Sequence, residues 1–205
     1  MIRGIDVSRW QGNIDFGKVK ASGVKFVIIK AGGSDAGFYT DKNFLHNAIS
    51  AALAGLHIGA YYFVGKGCKS AKDGEADAKR FYNIIRNVTL DYPVYIDFEA
   101  PDARNKQGNT DAVKAFCAYM ESKGYYVGIY ASDISGFKDR LYLDQLGAYD
   151  KWVARYGSEP KYVNTWGIWQ SASNGNIAGI KGHVDLDYSK RDYSQIIRSK
   201  HLNGW

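Results

Sequence analysis

The sequence predicts an α/β fold, an irregular closed barrel of about eight strands with fewer helices towards the C-terminal end. Short apolar runs rich in Val, Ile and Tyr recur along the chain, and segments with helical spacing separate the early ones. The last two runs are instead separated by residues 171–182, which are rich in Gly, Ser and Asn and have no helical period. Strands that alternate with helices are typical of parallel strands joined by crossovers, and eight of them favour a closed barrel.

Eight runs are predicted as strands because β-branched and aromatic residues dominate them: residues 2–7, 25–30, 57–64, 94–98, 125–130, 152–155, 166–170 and 184–188. Three segments are predicted as helices from their apolar spacing: residues 41–54, 71–88 and 110–122. Gly55 and Gly124 follow the first and third of these, at the position where glycine commonly ends a helix.

The bulk composition indicates one soluble domain over residues 1–205, with a short C-terminal tail at 198–205. No linker or repeat divides the chain, and 45% hydrophobic with 23% charged residues excludes a disordered or membrane-inserted chain. The net charge of +6 comes from scattered residues, so we expect no nucleic-acid binding. Cys68 and Cys117 stand far apart without nearby metal-ligand spacing, which predicts free thiols.

Two carboxylates mark the fourth predicted strand as the candidate catalytic element. Asp97 and Glu99 alternate with apolar residues, so both should face the barrel interior at the end of the strand where barrel enzymes carry their active sites. Repulsion between two neighbouring acids raises the pKa of one of them, so that one is protonated and the other ionised. Glycosidases use such a pair of carboxyl groups for catalysis. The alternative is structural, with one acid paired to Lys30 and the other in solvent.

Further acids are expected at the seam where the first and last strands of a closed barrel meet. Asp6 ends the first strand, and Asp185 or Asp187 on the last strand could join it beside Asp97 and Glu99. Such a cluster could instead hold calcium or magnesium, but the sequence has no regular ligand loop of the calcium-binding type. We therefore expect no metal ion.

Aromatic and amide side chains near the strand ends are the candidates for a sugar groove. Aromatic rings stack on the apolar face of a pyranose while amides bind its hydroxyl groups, although core packing explains any single one of these residues equally well. The candidate substrate-binding residues are Tyr61, Phe63, Tyr130, Trp152, Trp169 and Gln170.

Nine short motifs, taken together and in order, resemble the Chalaropsis-type lysozymes, glycoside hydrolase family 25, and span nearly the whole chain. They are GIDVS at 4–8, WQG at 10–12, FVIIKA at 26–31, GAYYF at 59–63, DFE at 97–99, GIY at 128–130, WVARY at 152–156, IWQ at 168–170 and VDLD at 184–187. The sequence departs from the family pattern at Gly32-Gly33-Ser34-Asp35, at Tyr62, and at Asp187, where Asn is usual. These departures affect subsites and leave the acidic pair intact.

The resemblance implies a TIM-like barrel that hydrolyses the β-1,4 bond between N-acetylmuramic acid and N-acetylglucosamine in bacterial peptidoglycan, without a cofactor. It implies that Glu99 is the general acid/base and that Asp97 orients the substrate's N-acetyl group, while Asp6 and Asp185 complete the acidic floor. The alternatives are a non-catalytic wall-glycan-binding module and a chitinase-like hydrolase of N-acetylhexosamine polymers.

The expected place of action is the cell wall outside the membrane. The N-terminus has no apolar stretch of signal-peptide length, which favours a phage or prophage endolysin released through a holin, or an exported catalytic fragment. A longer natural chain could carry a separate wall-binding domain.

Overall fold

A computed structural model describes all 205 residues and confirms the predicted barrel. Eight strands form the barrel, and β1 pairs with both β2 and β9, which closes the sheet; β3 is a short antiparallel addition beside β2. The strands are β1 Ile2–Val7, β2 Phe26–Gly33, β3 Tyr39–Thr40, β4 His57–Phe63, β5 Val94–Asp97, β6 Val127–Ser132, β7 Asp150–Ala154, β8 Ile168–Gly175 and β9 Val184–Ser189.

Five helices pack outside or beneath the barrel: α1 Phe16–Ala21, α2 Phe44–Leu53, α3 Ala71–Ile85, α4 Lys106–Ser122 and α5 Tyr193–Ser199. The three predicted helices are confirmed as α2, α3 and α4 with small shifts at their ends, whereas α1 and α5 were not predicted. Asp15 and Asp192 begin these two helices by accepting hydrogen bonds from backbone N–H groups of the first turn. No helix is both long and apolar enough to span a bilayer.

The parallel pairing that strand–helix alternation predicts holds from β1 to β8 within the barrel, and the irregularity expected near its end is β9. This strand runs antiparallel to both of its neighbours, β8 and β1. Residues 176–183 contain no helix, and without a crossover the chain can only return beside β8 in the opposite direction. Asp185 therefore lies near the beginning of β9, and this beginning stands at the same rim as the C-terminal ends of the parallel strands.

Alternation along the strands separates an outer core from a barrel interior. Val94, Ile96 and Phe98 belong to the large core between sheet and helices, whereas Tyr95 belongs to a smaller interior cluster. This interior is mostly aromatic: Phe26 stacks on Tyr92 with ring centres 4.5 Å apart. Rings therefore fill the barrel from its N-terminal end up to the acidic rim.

The C-terminal segment closes the bottom of the barrel. Tyr193 of α5 packs edge-on against Tyr92, with ring centres 5.4 Å apart. Within the predicted tail 198–205, Asn203 is completely buried and its amide group accepts from the backbone N–H of Tyr126 and donates to the carbonyl of Tyr92. The tail is thus integrated into the domain, at the end opposite the acids.

Gly74 lets α3 and α4 approach each other closely, and we expect Gly74→Ala to destabilise the protein. A Cβ at Gly74 would overlap the backbone carbonyl of Ala112, so the two helices would have to move apart. Overpacking costs about 1–3 kcal/mol, and the clash with rigid backbone places Gly74→Ala in the upper half of this range, above the gain of about 1 kcal/mol from replacing a helical glycine. Urea unfolding should show a net loss of about 1–2 kcal/mol.

Gly147→Ala is the matched control, because no heavy atom lies within 4 Å of the added Cβ and φ is already −59°. We expect its unfolding free energy to stay within about 0.5 kcal/mol of wild type. Equal stability of the two variants would show that the close approach of the helices has no energetic importance.

Candidate active site

The four predicted acids converge at one rim of the barrel. Asp6 near the end of β1 pairs in register with Asp185 of β9, and Asp97 ends β5 with Glu99 two residues later. Asp6 and Asp97 are buried, Asp185 is partly buried and Glu99 is exposed. Electrostatic repulsion couples Asp185 to Glu99 and Asp97 to Glu99, which places all of these carboxylates within one site.

Buried hydrogen bonds hold the Asp6 side of the site. The side-chain amide of Gln170 donates to Asp6 Oδ2 at 2.7 Å, and the Tyr130 hydroxyl donates to Gln170 Oε1 at 2.8 Å. Gln170 is only 3% exposed, so this chain of contacts is fixed within the barrel. The arrangement orients the Asp6 carboxylate without a cation.

Trp152 lies inside the barrel, beneath the acids of the rim. Its ring is 1% exposed and packs against Tyr130 and Tyr61, at centre distances of 4.4 and 5.9 Å. Its indole N–H donates to Asp187 Oδ1 at 2.8 Å. Trp152 therefore forms the base of the groove and positions other side chains, rather than offering a free face for stacking on a sugar.

Asp97 is a buried acid with an incomplete set of hydrogen bonds. Its Oδ1 atom is buried and has no hydrogen bond. Burial and the nearby Glu99 carboxylate raise the pKa of Asp97, and the Lys30 ammonium opposes this shift. A buried polar atom without a partner is costly, so a substrate group that donates a hydrogen bond there would be favoured.

Glu99 stands at the mouth, where a substrate can reach it. Although the residue is exposed, protein atoms around its carboxylate displace enough water to raise the pKa of Glu99, while Lys30 and Arg140 oppose the shift. Lys30 forms no ion pair with either acid and instead lies over the Phe63 ring, with Nζ 4.5 Å from the ring centre. A carboxyl with a raised pKa keeps its proton to higher pH, as a general acid requires.

Asp6 and Asp187 form a second coupled pair, deeper than the first. Asp187 is completely buried, and burial raises the pKa of Asp187 to about 8. Burial and repulsion from Asp187 raise the pKa of Asp6 as well. Repulsion between the two buried carboxylates thus opposes the ionisation of both at once.

We expect Asp187→Asn to stabilise the protein at pH 7.5 and to have little effect at pH 4. The folded-state pKa of about 8 lies above the usual 3.8. The folded protein therefore keeps a proton that the unfolded chain loses as pH rises from about 4 to about 8, and its stability falls across this window. Asn carries no charge and should gain about 2 kcal/mol at pH 7.5 in urea unfolding.

Asp139→Asn, at an exposed acid without a hydrogen-bond partner, serves as the control for removing one negative charge. It should change the unfolding free energy by less than about 0.5 kcal/mol at either pH. If Asp187→Asn destabilises the protein equally at pH 4 and 7.5, the ionisation of Asp187 plays no part in stability.

The structure brings five of the six predicted groove residues together. Tyr61, Tyr130, Trp152 and Gln170 lie inside the barrel beneath the acids, and Phe63 lies at the rim beneath Lys30. Trp169 is the exception, because neighbouring residues of a strand point to opposite faces. Its ring packs outside, 6.3 Å from Trp166 and 5.8 Å from Tyr188, and its indole donates to the Arg155 carbonyl.

Tyr156 is a site residue that the sequence reasoning missed. It is 56% exposed, and its hydroxyl donates to Gln170 Oε1 at 3.3 Å. Partial burial of the hydroxyl, followed by the charges of Asp185 and Asp6, raises the pKa of Tyr156. An exposed ring beside the acids is suited to stacking on a sugar. Its position two residues after β7 was the available signal.

A buried carboxylate anchors the loop that carries Tyr156. Asp133 is 2% exposed and accepts hydrogen bonds from the Arg155 guanidinium at 2.8 Å and from the backbone N–H groups of residues 161–163. Despite its burial, these donors lower the pKa of Asp133. The segment from β7 to β8 is thereby fixed at one side of the groove.

The structure shows no group of three or more His, Cys, Asp or Glu side chains arranged to hold a metal ion. Both cysteines are buried free thiols, and burial raises the pKa of Cys68 and of Cys117.

Comparison with known proteins gives a consistent result. The model of the glycosyl hydrolases family 25 matches residues 5–180. The autolytic lysozyme of Clostridium acetobutylicum is 32% identical over 191 residues, which is 91% of this chain and 55% of that protein. The chain thus spans little more than half the length of this relative.

Solved structures agree with the sequence matches. The CTP1L endolysin superposes with a TM-score of 0.85 at 27% identity, over 97% of this chain and 70% of that one. A bacterial lysozyme from Streptomyces coelicolor superposes with a TM-score of 0.74 at 26% identity, over 93% of this chain and 92% of that one.

Proposed function

The chain belongs to glycosyl hydrolase family 25, and on that premise we propose that it is a lysozyme that cleaves the β-1,4 bond between N-acetylmuramic acid and N-acetylglucosamine. The observation that carries the proposal is the pairing of an accessible Glu99 with a buried Asp97 whose Oδ1 lacks a partner. Peptidoglycan is the proposed substrate, and the wall outside the membrane is the proposed place of action.

Glu99 is proposed as the general acid and then the general base. Its raised pKa keeps a proton available for the glycosidic oxygen as the bond from that oxygen to the anomeric carbon breaks. The resulting carboxylate then accepts a proton from the water that attacks the anomeric carbon. One residue thus returns to its starting protonation state after each cycle.

Asp97 is proposed to orient the N-acetyl group of the reacting sugar. Lys30 favours the ionised form of Asp97, and the free Oδ1 can accept the hydrogen bond of the acetamido N–H. The acetamido carbonyl oxygen can then stabilise positive charge at the anomeric carbon as the bond breaks. Asp6 and Asp185 are proposed to complete the acidic floor.

Four residues are proposed to form the sugar groove or its support: Tyr61, Phe63, Tyr130 and Gln170. Trp152 is proposed to position Asp187 and the rings around it, and Tyr156 to stack on a sugar. Trp169 is not included among the groove residues, because its side chain points out of the barrel.

The experiment that tests the proposal compares release of reducing ends from purified peptidoglycan with release from chitin oligosaccharides. We expect cleavage of peptidoglycan to be faster, since the acids act on a muramic acid residue. Faster cleavage of chitin would favour the chitinase-like alternative. Retention of the protein on peptidoglycan without any new reducing ends would favour the glycan-binding module.

A further inference from the structure

A positively charged pocket opens beside the acidic rim and takes no part in the chemistry proposed above. Its volume is about 760 Å³ and no apolar side chain lines it. The loop after β4 contributes Lys66 and Lys69, and the loop after β5 contributes Asp102, Arg104 and Asn105. Because β4 and β5 are parallel neighbours, both loops leave the barrel at the rim that carries Glu99.

The same chain segment links this pocket to the catalytic acid. Glu99 follows β5, and the pocket begins three residues later at Asp102. Arg140 connects the two, since its Nε atom donates to the Pro101 carbonyl at 2.8 Å while its charge acts on Glu99. A substituent on a sugar bound at Glu99 therefore has a short path into the pocket.

The two walls of the pocket are held together by direct contacts. The side-chain amide of Asn105 donates to the Lys69 carbonyl at 2.8 Å. A Cβ at Gly108 would overlap that same carbonyl, so the beginning of α4 lies directly against the loop after β4. The concave shape is therefore present before any ligand binds.

Internal contacts satisfy the acids of the pocket and leave two lysines free. Asp102 accepts four hydrogen bonds from the backbone and guanidinium N–H groups of Arg104. The Asp73 carboxylate accepts from the Ser70 hydroxyl at 2.6 Å, and Ser70 caps the beginning of α3 by accepting from the Asp73 backbone N–H. Neither Lys66 nor Lys69 forms an ion pair or a side-chain ammonium hydrogen bond within the chain. The pocket thus contains two ammonium groups that no acid of the chain pairs with, surrounded by polar side chains.

We propose that this pocket binds the carboxylates of the peptide attached to muramic acid in uncleaved peptidoglycan. The inference rests on the proposed function, because only a muramic acid residue at Glu99 carries such a peptide. A peptide joined to the reacting sugar through its lactyl group extends away from the glycan and ends in carboxylates. Ammonium groups bind carboxylates through charge-assisted hydrogen bonds, and Lys66 and Lys69 supply two of them.

The test measures kcat/KM on two substrates prepared from one batch of phosphate-stripped peptidoglycan, one intact and one freed of peptides by an amidase. We expect the ratio of intact to peptide-free substrate to fall about tenfold in the double variant Lys66→Ala/Lys69→Ala, mainly through KM. The matched control Lys25→Ala/Lys200→Ala removes two exposed charges from the opposite end of the barrel. It should keep the wild-type ratio.

A second measurement separates this inference from the proposed function. A synthetic stem pentapeptide titrated into isotope-labelled protein should shift the amide resonances of residues 66, 69 and 105, and the double variant should lose these shifts. If the wild type cleaves neither substrate, the lysozyme proposal fails and this titration alone decides the pocket. A loss of activity that is equal on both substrates would overturn the inference. A loss of activity that appears only on walls that still carry phosphodiester polymers would also overturn the inference.

Discussion

Replacing Glu99 by Gln should lower kcat on peptidoglycan at least about a hundredfold, the usual contribution of a general acid. Gln cannot transfer a proton to the glycosidic oxygen, but it keeps the size of the side chain and removes one charge from an exposed position. We therefore expect KM to change by less than about threefold and the unfolding free energy by less than about 0.5 kcal/mol. Initial rates of reducing-end release measure the effect.

The pH profile of the wild type adds a second readout. Because the pKa of Glu99 is raised, the protonated form persists to higher pH, and kcat should fall only as pH rises through that value. Glu121→Gln removes a charge from an exposed glutamate of α4 and should keep wild-type kcat. A Glu99→Gln variant with more than a tenth of wild-type kcat would remove Glu99 from the acid role.

Replacing Asp97 by Asn should also reduce kcat about a hundredfold while the folded protein becomes more stable. The wild-type carboxylate is buried, has an unpartnered Oδ1 and lies beside Glu99, so folding has to overcome desolvation and repulsion. Asn removes the charge and should raise the unfolding free energy at pH 7.5 by about 1 kcal/mol. Loss of activity together with a gain of stability distinguishes a functional acid from a structural one.

An activated substrate separates the roles of the two acids. An aryl glycoside whose leaving group needs no proton should restore much of the activity of Glu99→Gln, because the general acid becomes dispensable. The same substrate should not restore the activity of Asp97→Asn, because the acetamido group still has to be oriented. Equal restoration of both variants would contradict the assignment of different roles.

The sequence predicted the barrel and the convergence of the acids because both depend on local patterns. Alternation along β5 sends Tyr95 and Asp97 inside while Val94, Ile96 and Phe98 face the helices, and this follows directly from the pleat. Placing Asp6 next to Asp185 required only that the first and last strands be neighbours. That adjacency holds whichever direction β9 runs.

Side-chain alternation could not give the direction of β9, because its period is the same in parallel and antiparallel strands. The missing helical period of residues 171–182 was the available signal, because a parallel strand needs a crossover connection. The helices α1 and α5 were missed because six and seven residues are too few to show helical periodicity. Their N-terminal aspartates, Asp15 and Asp192, were present as signals but were not used.

The groove was harder to predict than the acids because burial depends on the whole barrel. Trp152 and Trp169 both lie in strands near the rim, yet one forms the base of the groove and the other packs outside. Only the register of β8, in which Gln170 faces Asp6, shows that its neighbour Trp169 must face outward. Tyr156 follows its strand and is placed by Asp133, a contact across 22 residues that no local pattern records.

The proposal is tested most directly by the identity of the sugar at each new reducing end. Purified peptidoglycan digested by the wild type is reduced with borohydride, and the products are analysed by mass spectrometry. We predict that the reduced sugar is muramitol and that digestion with Glu99→Gln yields at least about a hundredfold less of it. Glucosaminitol at the new ends would rule out the proposed muramidase, because the acids would then act on the other glycosidic bond.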